Sequence, residues 1–235
     1  MARGHSVRLL QVTDMHLQQD PTTLMRGENV ERRFQHVMQH IEGEAADLLL
    51  LTGDLTHHAP AAYDRLALSL QGLPFPSCWL PGNHDLIDEM ARFSALGYNR
   101  KVVEQGAWRV ILLDSTASPD GKGGGSLANE ELAFFAQQLA QTASDQHVLV
   151  ALHHHPVPVK SEWMDKIGLV NKNDFWALVD SCPQVKGVVC GHVHHAVQQQ
   201  RGAVNVLASP ATAPQFKPFS AVATTEDDPR FTGPA

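Results

Sequence analysis

The stretch of sequence that says most about the fold is residues 77–85, Ser-Cys-Trp-Leu-Pro-Gly-Asn-His-Asp. Its first four residues form an apolar run that is too short for a helix, and the Pro-Gly pair then marks a turn. Three side chains with oxygen or nitrogen donors follow that turn directly. The stretch therefore predicts a strand over residues 77–80 that presents polar side chains at its carboxyl end.

The same arrangement, an apolar run followed by polar side chains, occurs four more times along the chain. These strands are predicted at residues 7–12, 47–51, 147–152 and 185–190, and the polar residues follow at 13–16, 52–54, 153–156 and 191–195. Ligands of open α/β sheets bind beyond the carboxyl ends of the strands, where side chains from distant parts of the sequence meet. We therefore expect the five strand ends to form one site.

Helical spacing of apolar side chains lies between these runs. Helices are predicted at residues 29–44, 60–71, 86–96, 129–141 and 174–181, and further strands at 102–103, 108–113, 196–200 and 204–207. Asn129 is the expected N-cap of its helix. The alternation predicts an α/β protein whose helices cover its sheets. The length fits one domain over residues 1–235, with 219–235 expected to be a frayed tail.

Composition limits the class of protein. The hydrophobic fraction of 43% and the charged fraction of 18% are ordinary for a soluble globular protein. The net charge of −7 argues against binding to nucleic acid or to a membrane surface, which needs a basic face. The three cysteines form no C-x-x-C pair, and no apolar run reaches about 18–20 residues. The first residues lead straight into a strand-like run, so a signal peptide is not expected. We expect a cytoplasmic protein with neither nucleic acid nor membrane as partner.

The polar side chains at the five strand ends are typical metal ligands. Seven donors are too many for one transition metal with an open position, and they suit two metals about 3.5–4 Å apart that share a carboxylate. No cysteine takes part, which excludes a zinc finger or an iron–sulfur cluster. The candidate ligands are Asp14, His16, Asp54, Asn83, His192 and His194, together with one of the three consecutive histidines at 153–155.

Local spacing agrees with a metal site. On extended backbone, the two donors of Asp-x-His at 14–16, and those of His-x-His at 192–194, would point the same way. Gly53, Gly82 and Gly191 each precede a candidate ligand and would allow tight turns and a close approach of the backbone to an anion. Each fragment alone is more typical of a turn or a helix cap. The five together favour the metal site.

The ordered set Asp-x-His, Gly-Asp, Gly-Asn-His-Asp, a strand-end His and Gly-His-x-His resembles the calcineurin-like metallophosphoesterase superfamily, over residues 7 to about 218. Residues 152–158 and 215–218 are similar to bacterial class III 3′,5′-cyclic AMP phosphodiesterases. The resemblance implies a four-layer α-β-β-α sandwich with two facing mixed sheets. The C-terminal strands are expected to be shortened, because residues 219–235 offer at most one short strand, near 221–224.

The resemblance also implies how the ligands are shared between two divalent metals. One metal would take Asp14, His16, Asp54 and His194, and the other would take Asp54, Asn83, His153 and His192, with Asp54 bridging. The family ligand directly follows its strand, which favours His153 over His154 and His155. Imidazole with carboxylate suits iron, manganese, zinc or cobalt. His154 is expected beside the ligands or the substrate, and His155 to pack or to face solvent.

By the same resemblance, the expected reaction is hydrolysis of 3′,5′-cyclic AMP, or a related cyclic nucleotide, to the 5′-monophosphate by in-line attack of a metal-bridging hydroxide. The catalytic candidates are His84, which would protonate the leaving 3′-oxygen or contact the phosphate, and Asp85, which would orient the His84 ring. A helix N-cap is an equal alternative for Asp85. Substrate contacts are expected from His16, Asp54, Asn83, His84 and His194, and rim or surface positions from His57, His58 and His195.

Other functions share much of this pattern. A related metal-dependent phosphodiesterase or phosphomonoesterase with another substrate would use identical ligands and differ in pocket loops. A truncated, non-catalytic protein that binds metal or nucleotide as a regulator is a further alternative, for which the short tail argues and the seven intact ligands do not. A nuclease is disfavoured by the negative charge. The chain is expected to be a monomer or a homodimer.

Overall fold

The computed structural model describes residues 6–226, so part of the predicted tail, residues 227–235, lies outside the described residues. The strands are β1 Leu9–Val12, β2 Leu24–Met25, β3 Glu28–Asn29, β4 Leu48–Thr52, β5 Ser77–Leu80, β6 Val102–Gln105, β7 Trp108–Leu112, β8 His147–Leu152, β9 Val185–Cys190, β10 Val197–Arg201 and β11 Val204–Ala208. The helices are α1 Val30–Glu42, α2 Pro60–Gln71, α3 Ile87–Ala91, α4 Asn129–Ala140 and α5 Lys172–Asp180.

The strands form two sheets and a small ribbon. The smaller sheet has the order β1-β4-β5, and the larger has the order β10-β11-β9-β8-β7-β6. The larger sheet is mixed as expected, since β10 and β6 run antiparallel to their neighbours. The smaller sheet is parallel throughout, which corrects the expectation of two mixed sheets. Helices α1 and α2 return the chain between its strands, and such crossovers produce parallel pairing. The β2–β3 ribbon was not predicted.

The two sheets face each other and helices cover both outer surfaces. Leu48 and Leu50 of β4 pack against residues of the larger sheet, including Leu149. Leu49 and Leu51 point the opposite way, into a cluster with the side chains of α1 and α2. Helices α4 and α5 cover the larger sheet on its far side. This confirms the expected four-layer sandwich and explains the continuous apolar run of β4, which is buried on both faces.

Some predicted boundaries differ at helix ends. Asn29 caps α1 by accepting a hydrogen bond from the backbone N–H of Arg32 at 2.8 Å. Asn129 was expected to cap α4, but it is the first residue of that helix, and Ala128 precedes it without a side-chain cap. The predicted helix over 86–96 is divided into α3 and a 3₁₀ turn at Ser94–Leu96.

The described part of the C-terminal segment is bound back onto the motif before it. The backbone N–H of Lys217 donates to Thr224 at 2.8 Å, and that of Glu226 donates to Gln215 at 3.0 Å. Phe216 and Thr225 form an isolated antiparallel bridge in place of the short strand considered near 221–224. Within residues 6–226, no helix combines the length and the apolar character needed to cross a membrane.

Candidate metal centre

The polar turns after β1, β4, β5, β8 and β9 meet at one edge of the sandwich. The backbone N–H of Asp14 donates to the Gly53 carbonyl at 3.0 Å, which joins the first two turns. The N–H of Gly191 donates to the His153 carbonyl at 3.1 Å, which joins the turns after β8 and β9. The carboxyl ends of neighbouring parallel strands lie at one edge, and this is why side chains so distant in sequence converge here.

Asp54 lies between histidines of both groups of candidate ligands. Its Oδ2 is 3.4 Å from Nε2 of His16 and 3.5 Å from Nε2 of His153. Asp54 is 2% exposed and His153 is fully buried. One carboxylate thus faces two imidazole nitrogens from different sheets, an arrangement that can share an oxygen ligand between two cations.

The other candidate ligands surround this pair. His194 Nε2 lies 3.4 Å from Oδ1 of Asp14 and 3.1 Å from Nε2 of His16. On the other side, Oδ1 of Asn83 is 3.2 Å from Nε2 of His153. The His192 ring lies 5.0 Å from the His153 ring, centroid to centroid. The structure brings all seven predicted ligands together, and two groups of three among them, Asp14/His16/His194 and Asp14/Asp54/His153, are arranged so that they could hold a metal ion.

Hydrogen bonds to backbone carbonyls orient three of the histidine rings. Nδ1 of His153 donates to Thr52 at 2.9 Å, and Nδ1 of His194 donates to Pro214 at 2.8 Å. His192 uses its other nitrogen, since Nε2 donates to Ile167 at 3.0 Å. The second nitrogen of each ring is then left for a cation. A metal-bound histidine is typically held in this way, so the donor set fits a metal.

Charges in this buried cluster are strongly coupled. Burial opposes ionisation of Asp54, but His153 and His16 hold the pKa of its carboxyl well below the usual value. Burial lowers the pKa of His16 to about 3. Burial also disfavours the charged form of His153, yet Asp54 outweighs it and raises the pKa of His153 to about 9. Without metal, a proton on His153 balances Asp54, and a cation must displace that proton because both compete for the same lone pair.

The glycines before the ligands make room for side chains of the centre. A Cβ on Gly82 would lie 2.2 Å from Oδ1 of Asp54. A Cβ on Gly53 would lie 2.5 Å from Nδ1 of His153, and one on Gly191 would lie 3.0 Å from Oδ2 of Asp14. The absence of a side chain at these positions lets the turns pack directly against the candidate ligands.

The backbone is left-handed at five of the seven candidate ligands, although extended backbone was expected at the Asp-x-His and His-x-His pairs. Asp14 has φ of 50°, Asp54 has 49° and His192 has 71°. The second donor of Asp-x-His and that of His-x-His share this conformation, with φ of 47° at His16 and 55° at His194. Such conformations cost non-glycine residues about 1–3 kcal/mol each and cluster at functional sites. The donors converge through these turns, not through the alternation of a strand.

Asp85 does not contact the His84 ring, which corrects its expected orienting role. Its Oδ2 accepts from the backbone N–H of Leu55 at 3.0 Å and of Gly82 at 2.9 Å. Its Oδ1 accepts from Thr56 N–H at 3.1 Å and from the Tyr63 hydroxyl at 2.7 Å. Nor does it cap α3, whose N-cap is Leu86. Asp85 instead ties the turn after β4 to the turn after β5, and four donors occupy both its oxygens.

His84 lies among other histidines at the rim. Its Nδ1 is 3.2 Å from Nε2 of His58, and its ring stacks on that of His57 with centroids 4.5 Å apart. His57 Nδ1 is in turn 3.3 Å from Nδ1 of His16. Burial lowers the pKa of His84, so its neutral form faces the centre. The contacts of His57 and His58 could not be read from the sequence, whose only signal was the histidine pair itself.

The remaining histidines near the centre are buried. His154 bonds through both ring nitrogens, to the Ser115 hydroxyl at 2.8 Å and to the Gly123 carbonyl at 3.0 Å. It also lies where it could hold a metal ion together with His153 and His192, but both of its ring nitrogens are already used by these bonds. His155 packs in the interior at 2% exposure. His195 is also buried, against the expectation of a rim or surface position.

Known proteins are similar to this chain in sequence and in fold. The 3′,5′-cyclic adenosine monophosphate phosphodiesterase CpdA of Vibrio vulnificus is 36% identical over 222 residues, covering 92% of this chain and 80% of that protein. CpdA of Pseudomonas aeruginosa is 34% identical, covering 93% and 81%. A dimetal phosphatase from Danio rerio has the same fold, with a TM-score of 0.68 at 11% identity over 88% of both chains.

The match to a family extends over most of the chain. Residues 7–196 match the model of the calcineurin-like phosphoesterase family, and this range includes all seven candidate ligands together with His84. The fold, the carboxyl-end site and the relatives all agree with that match. The chain therefore belongs to the calcineurin-like phosphoesterase family.

Proposed function

We propose that this chain is a phosphodiesterase that uses two divalent cations to hydrolyse 3′,5′-cyclic AMP, or a related cyclic nucleotide, to the 5′-monophosphate. The observation that carries the proposal is the position of Asp54, whose Oδ2 faces both His16 and His153 at 3.4 and 3.5 Å. The proposal treats residues 1–235 as one catalytic domain. It includes metals that accept mixed oxygen and nitrogen donors, such as manganese, iron, zinc or cobalt.

In this proposal the ligands form two groups that share Asp54. Bound cations would neutralise the phosphoryl oxygens and lower the pKa of an attacking water. Burial of the carboxylates at 0–2% exposure keeps water from competing for their oxygens. One group would be Asp14, His16, Asp54 and His194, and the other Asp54, Asn83, His153 and His192.

His84 is the proposed contact to the substrate. It is partly exposed at the rim, and the Nδ1···Nε2 contact with His58 leaves its own Nε2 free. A neutral ring can donate that N–H to a phosphoryl oxygen or to the leaving 3′-oxygen. The stacking of His57 and the bond to His58 would hold the ring in place. Asp85 supports the turn that carries Asn83 and His84, through its bond to Gly82.

Two features support a cyclic nucleotide as the substrate. The Vibrio and Pseudomonas relatives are named as 3′,5′-cyclic AMP phosphodiesterases. In addition, the motif at residues 215–218 packs onto the centre, where the Phe216 ring lies 4.4 Å from the ring of His194. Because Phe216 contacts a candidate ligand, the motif can shape the substrate side of the site as well as the fold.

The proposal is tested with metal-stripped protein reloaded with Mn²⁺. Cyclic AMP and bis(p-nitrophenyl) phosphate are assayed side by side, with Asp54→Ala as the inactive control. We expect turnover of both substrates by the wild type and loss of both in the variant. Turnover of the artificial diester alone would retain the phosphodiesterase and reject the cyclic nucleotide. Folded protein that holds two metals but hydrolyses neither substrate would point to a non-catalytic binding protein.

A further inference from the structure

The loop between β7 and α4 reaches the metal centre. A Cβ built on Gly123 would lie 3.8 Å from both Nδ2 of Asn83 and Cε1 of His192. Gly123 and Asn83 are both partly exposed, so the tip of the loop borders the open side of the centre. Residues 117–126 form this glycine loop, in which four residues are glycine.

The glycine loop has a defined internal structure. Ala117 and Ser126 close its base with two backbone hydrogen bonds of 3.1 Å. Near the tip, Oδ1 of Asp120 accepts from the backbone N–H of Lys122 at 2.7 Å and of Gly124 at 3.0 Å. The loop is therefore folded on itself, and its position relative to the centre depends on contacts from outside.

His154 supplies such a contact at the tip. Its Nε2 donates to the Gly123 carbonyl at 3.0 Å. Because a carbonyl can only accept, the proton of the neutral ring is on Nε2 and Nδ1 is unprotonated. Nδ1 accepts a hydrogen bond from the Ser115 hydroxyl at 2.8 Å. The Ser115 oxygen also accepts the backbone N–H of His154 at 3.1 Å. A Cβ on Gly125 would lie 2.4 Å from Cε1 of the ring, so the loop closes tightly over His154.

The same ring contacts the candidate ligands. Its centroid lies 5.0 Å from that of His153 and 4.8 Å from that of His192. His154 thus connects the glycine loop to two residues of the centre through one rigid side chain. It touches no open space where a substrate could bind, since it is fully buried. Any effect of His154 on the substrate must act through the loop.

We propose that His154 is a positioning residue that fixes the glycine loop as a wall of the substrate site and so sets the affinity for the nucleoside part of the substrate. This inference rests on the proposed function. The cations take the phosphate, so the rest of the substrate must lie beside the centre. Gly123 offers its backbone without a side chain there, and the Cβ position of Gly121 has open space around it. A flat, uncharged base can approach such a surface closely.

Two substitutions separate the contacts of His154. The carboxamide of glutamine reaches the position of Nε2, so His154→Gln keeps a donor for the Gly123 carbonyl. The carboxamide of asparagine reaches only the position of Nδ1. His154→Asn therefore keeps the hydrogen bond with Ser115 and loses the one to the Gly123 carbonyl of the loop. Both variants are compared with the wild type in steady-state kinetics with cyclic AMP and with bis(p-nitrophenyl) phosphate, which has no nucleoside.

We expect His154→Asn to raise KM for cyclic AMP roughly 3- to 10-fold, the value of one neutral hydrogen bond. The kcat for cyclic AMP should change less than about 2-fold, and so should kcat and KM for the artificial diester. A change of that size is smaller than the loss of one hydrogen bond produces. His154→Gln should behave like the wild type. A purely structural role would lower activity on both substrates alike, or would lower the metal content.

A second readout does not depend on activity. Lys122 is an exposed tryptic site within the glycine loop. In metal-free protein, His154→Asn should speed cleavage after Lys122 by roughly 3- to 10-fold, because cleavage follows the population of the open loop. Gly123→Ala disturbs the tip from the other side, since its φ of 110° strains any side chain, and should raise KM for cyclic AMP in the same way.

The outcomes distinguish this inference from the proposed function. Equal tryptic rates in the wild type and both His154 variants would overturn the inference whatever the substrate. Equal losses of activity on both substrates would also overturn it. If His154→Asn does not fold, an unchanged KM for cyclic AMP in Gly123→Ala would overturn it instead. A wild type without cyclic AMP turnover would instead defeat the proposed function.

Discussion

The hydroxyl of Tyr63 is fully buried and joins two parts of the turn next to the centre. It donates to Oδ1 of Asp85 at 2.7 Å and accepts from the backbone N–H of Leu86 at 2.8 Å. Tyr63→Phe removes both bonds without changing the shape of the ring. It leaves the Leu86 N–H without this acceptor and Asp85 with three of its four donors.

The expected cost follows from the types of bond. A hydrogen bond to a charged group contributes about 1.5–3 kcal/mol and a neutral one about 0.5–1.5 kcal/mol. Burial and the charge of Asp54 raise the pKa of Asp85 to about 7, so the bond to a charged carboxylate is fully present only above neutral pH. We therefore expect Tyr63→Phe to lower the free energy of unfolding by about 2–4 kcal/mol at about pH 9. Tyr98→Phe is the matched control, because Tyr98 is also buried but its hydroxyl makes only a 3.4 Å bond to Ala67. It should cost less than about 1 kcal/mol.

The difference in unfolding free energy between the wild type and Tyr63→Phe should also depend on pH. Burial, followed by the charge of Asp85, raises the pKa of Tyr63 above its usual value of 10.0. A raised pKa means that the contribution of Tyr63 is complete below pH 10 and is lost as the pH rises further, by about 1.4 kcal/mol per pH unit. Urea unfolding should show the gap between wild type and Tyr63→Phe narrowing above pH 10. A difference in unfolding free energy below about 0.5 kcal/mol at about pH 9, or one that does not narrow above pH 10, would refute the reasoning.

Three further predictions concern the centre, a helix and the thiols. Gly82→Ala should weaken Mn²⁺ binding by about 10–100-fold in calorimetry, because its Cβ would displace Asp54, whereas Gly43→Ala, whose Cβ has its nearest neighbour at 3.7 Å, should not. Asn29→Ala should cost about 1 kcal/mol in urea unfolding, since it removes the cap of α1; an unchanged midpoint would contradict that role. Cys190 should resist iodoacetamide in the native protein, because burial raises the pKa of its thiol to about 12; alkylation at the unfolded rate would disprove this.

Much of the fold was predictable because its elements are marked by local patterns. The bounds of β5, β8, β9 and α2 match the predicted ones, since apolar runs and a first-turn proline mark them in the sequence. Asn129 shows the limit of this reasoning. A residue type that favours a cap says nothing about where the preceding loop allows the helix to begin, and α4 begins at Asn129 itself.

The candidate site was predictable as a set of residues but not as an arrangement. Donors after strands identify themselves by type, and all seven converge in the structure. The partners of Asp85 were not predictable, because its four donors come from residues up to 30 positions away. The prediction that Asp85 orients the ring of its neighbour His84 was therefore wrong. Asp85 does lie beside the centre, as expected.

The sequence by itself determined which strands exist, which side chains follow them and what chemistry those side chains offer, because periodic burial and donor type are properties of short segments. Only the tertiary structure decided that Asp54 faces histidines from two sheets, that five of the seven ligands have left-handed backbone, and that His154 connects a distant glycine loop to the centre. These features depend on contacts between segments up to 178 residues apart. Contacts of that range arise only when the two sheets pack together, and no local pattern records them.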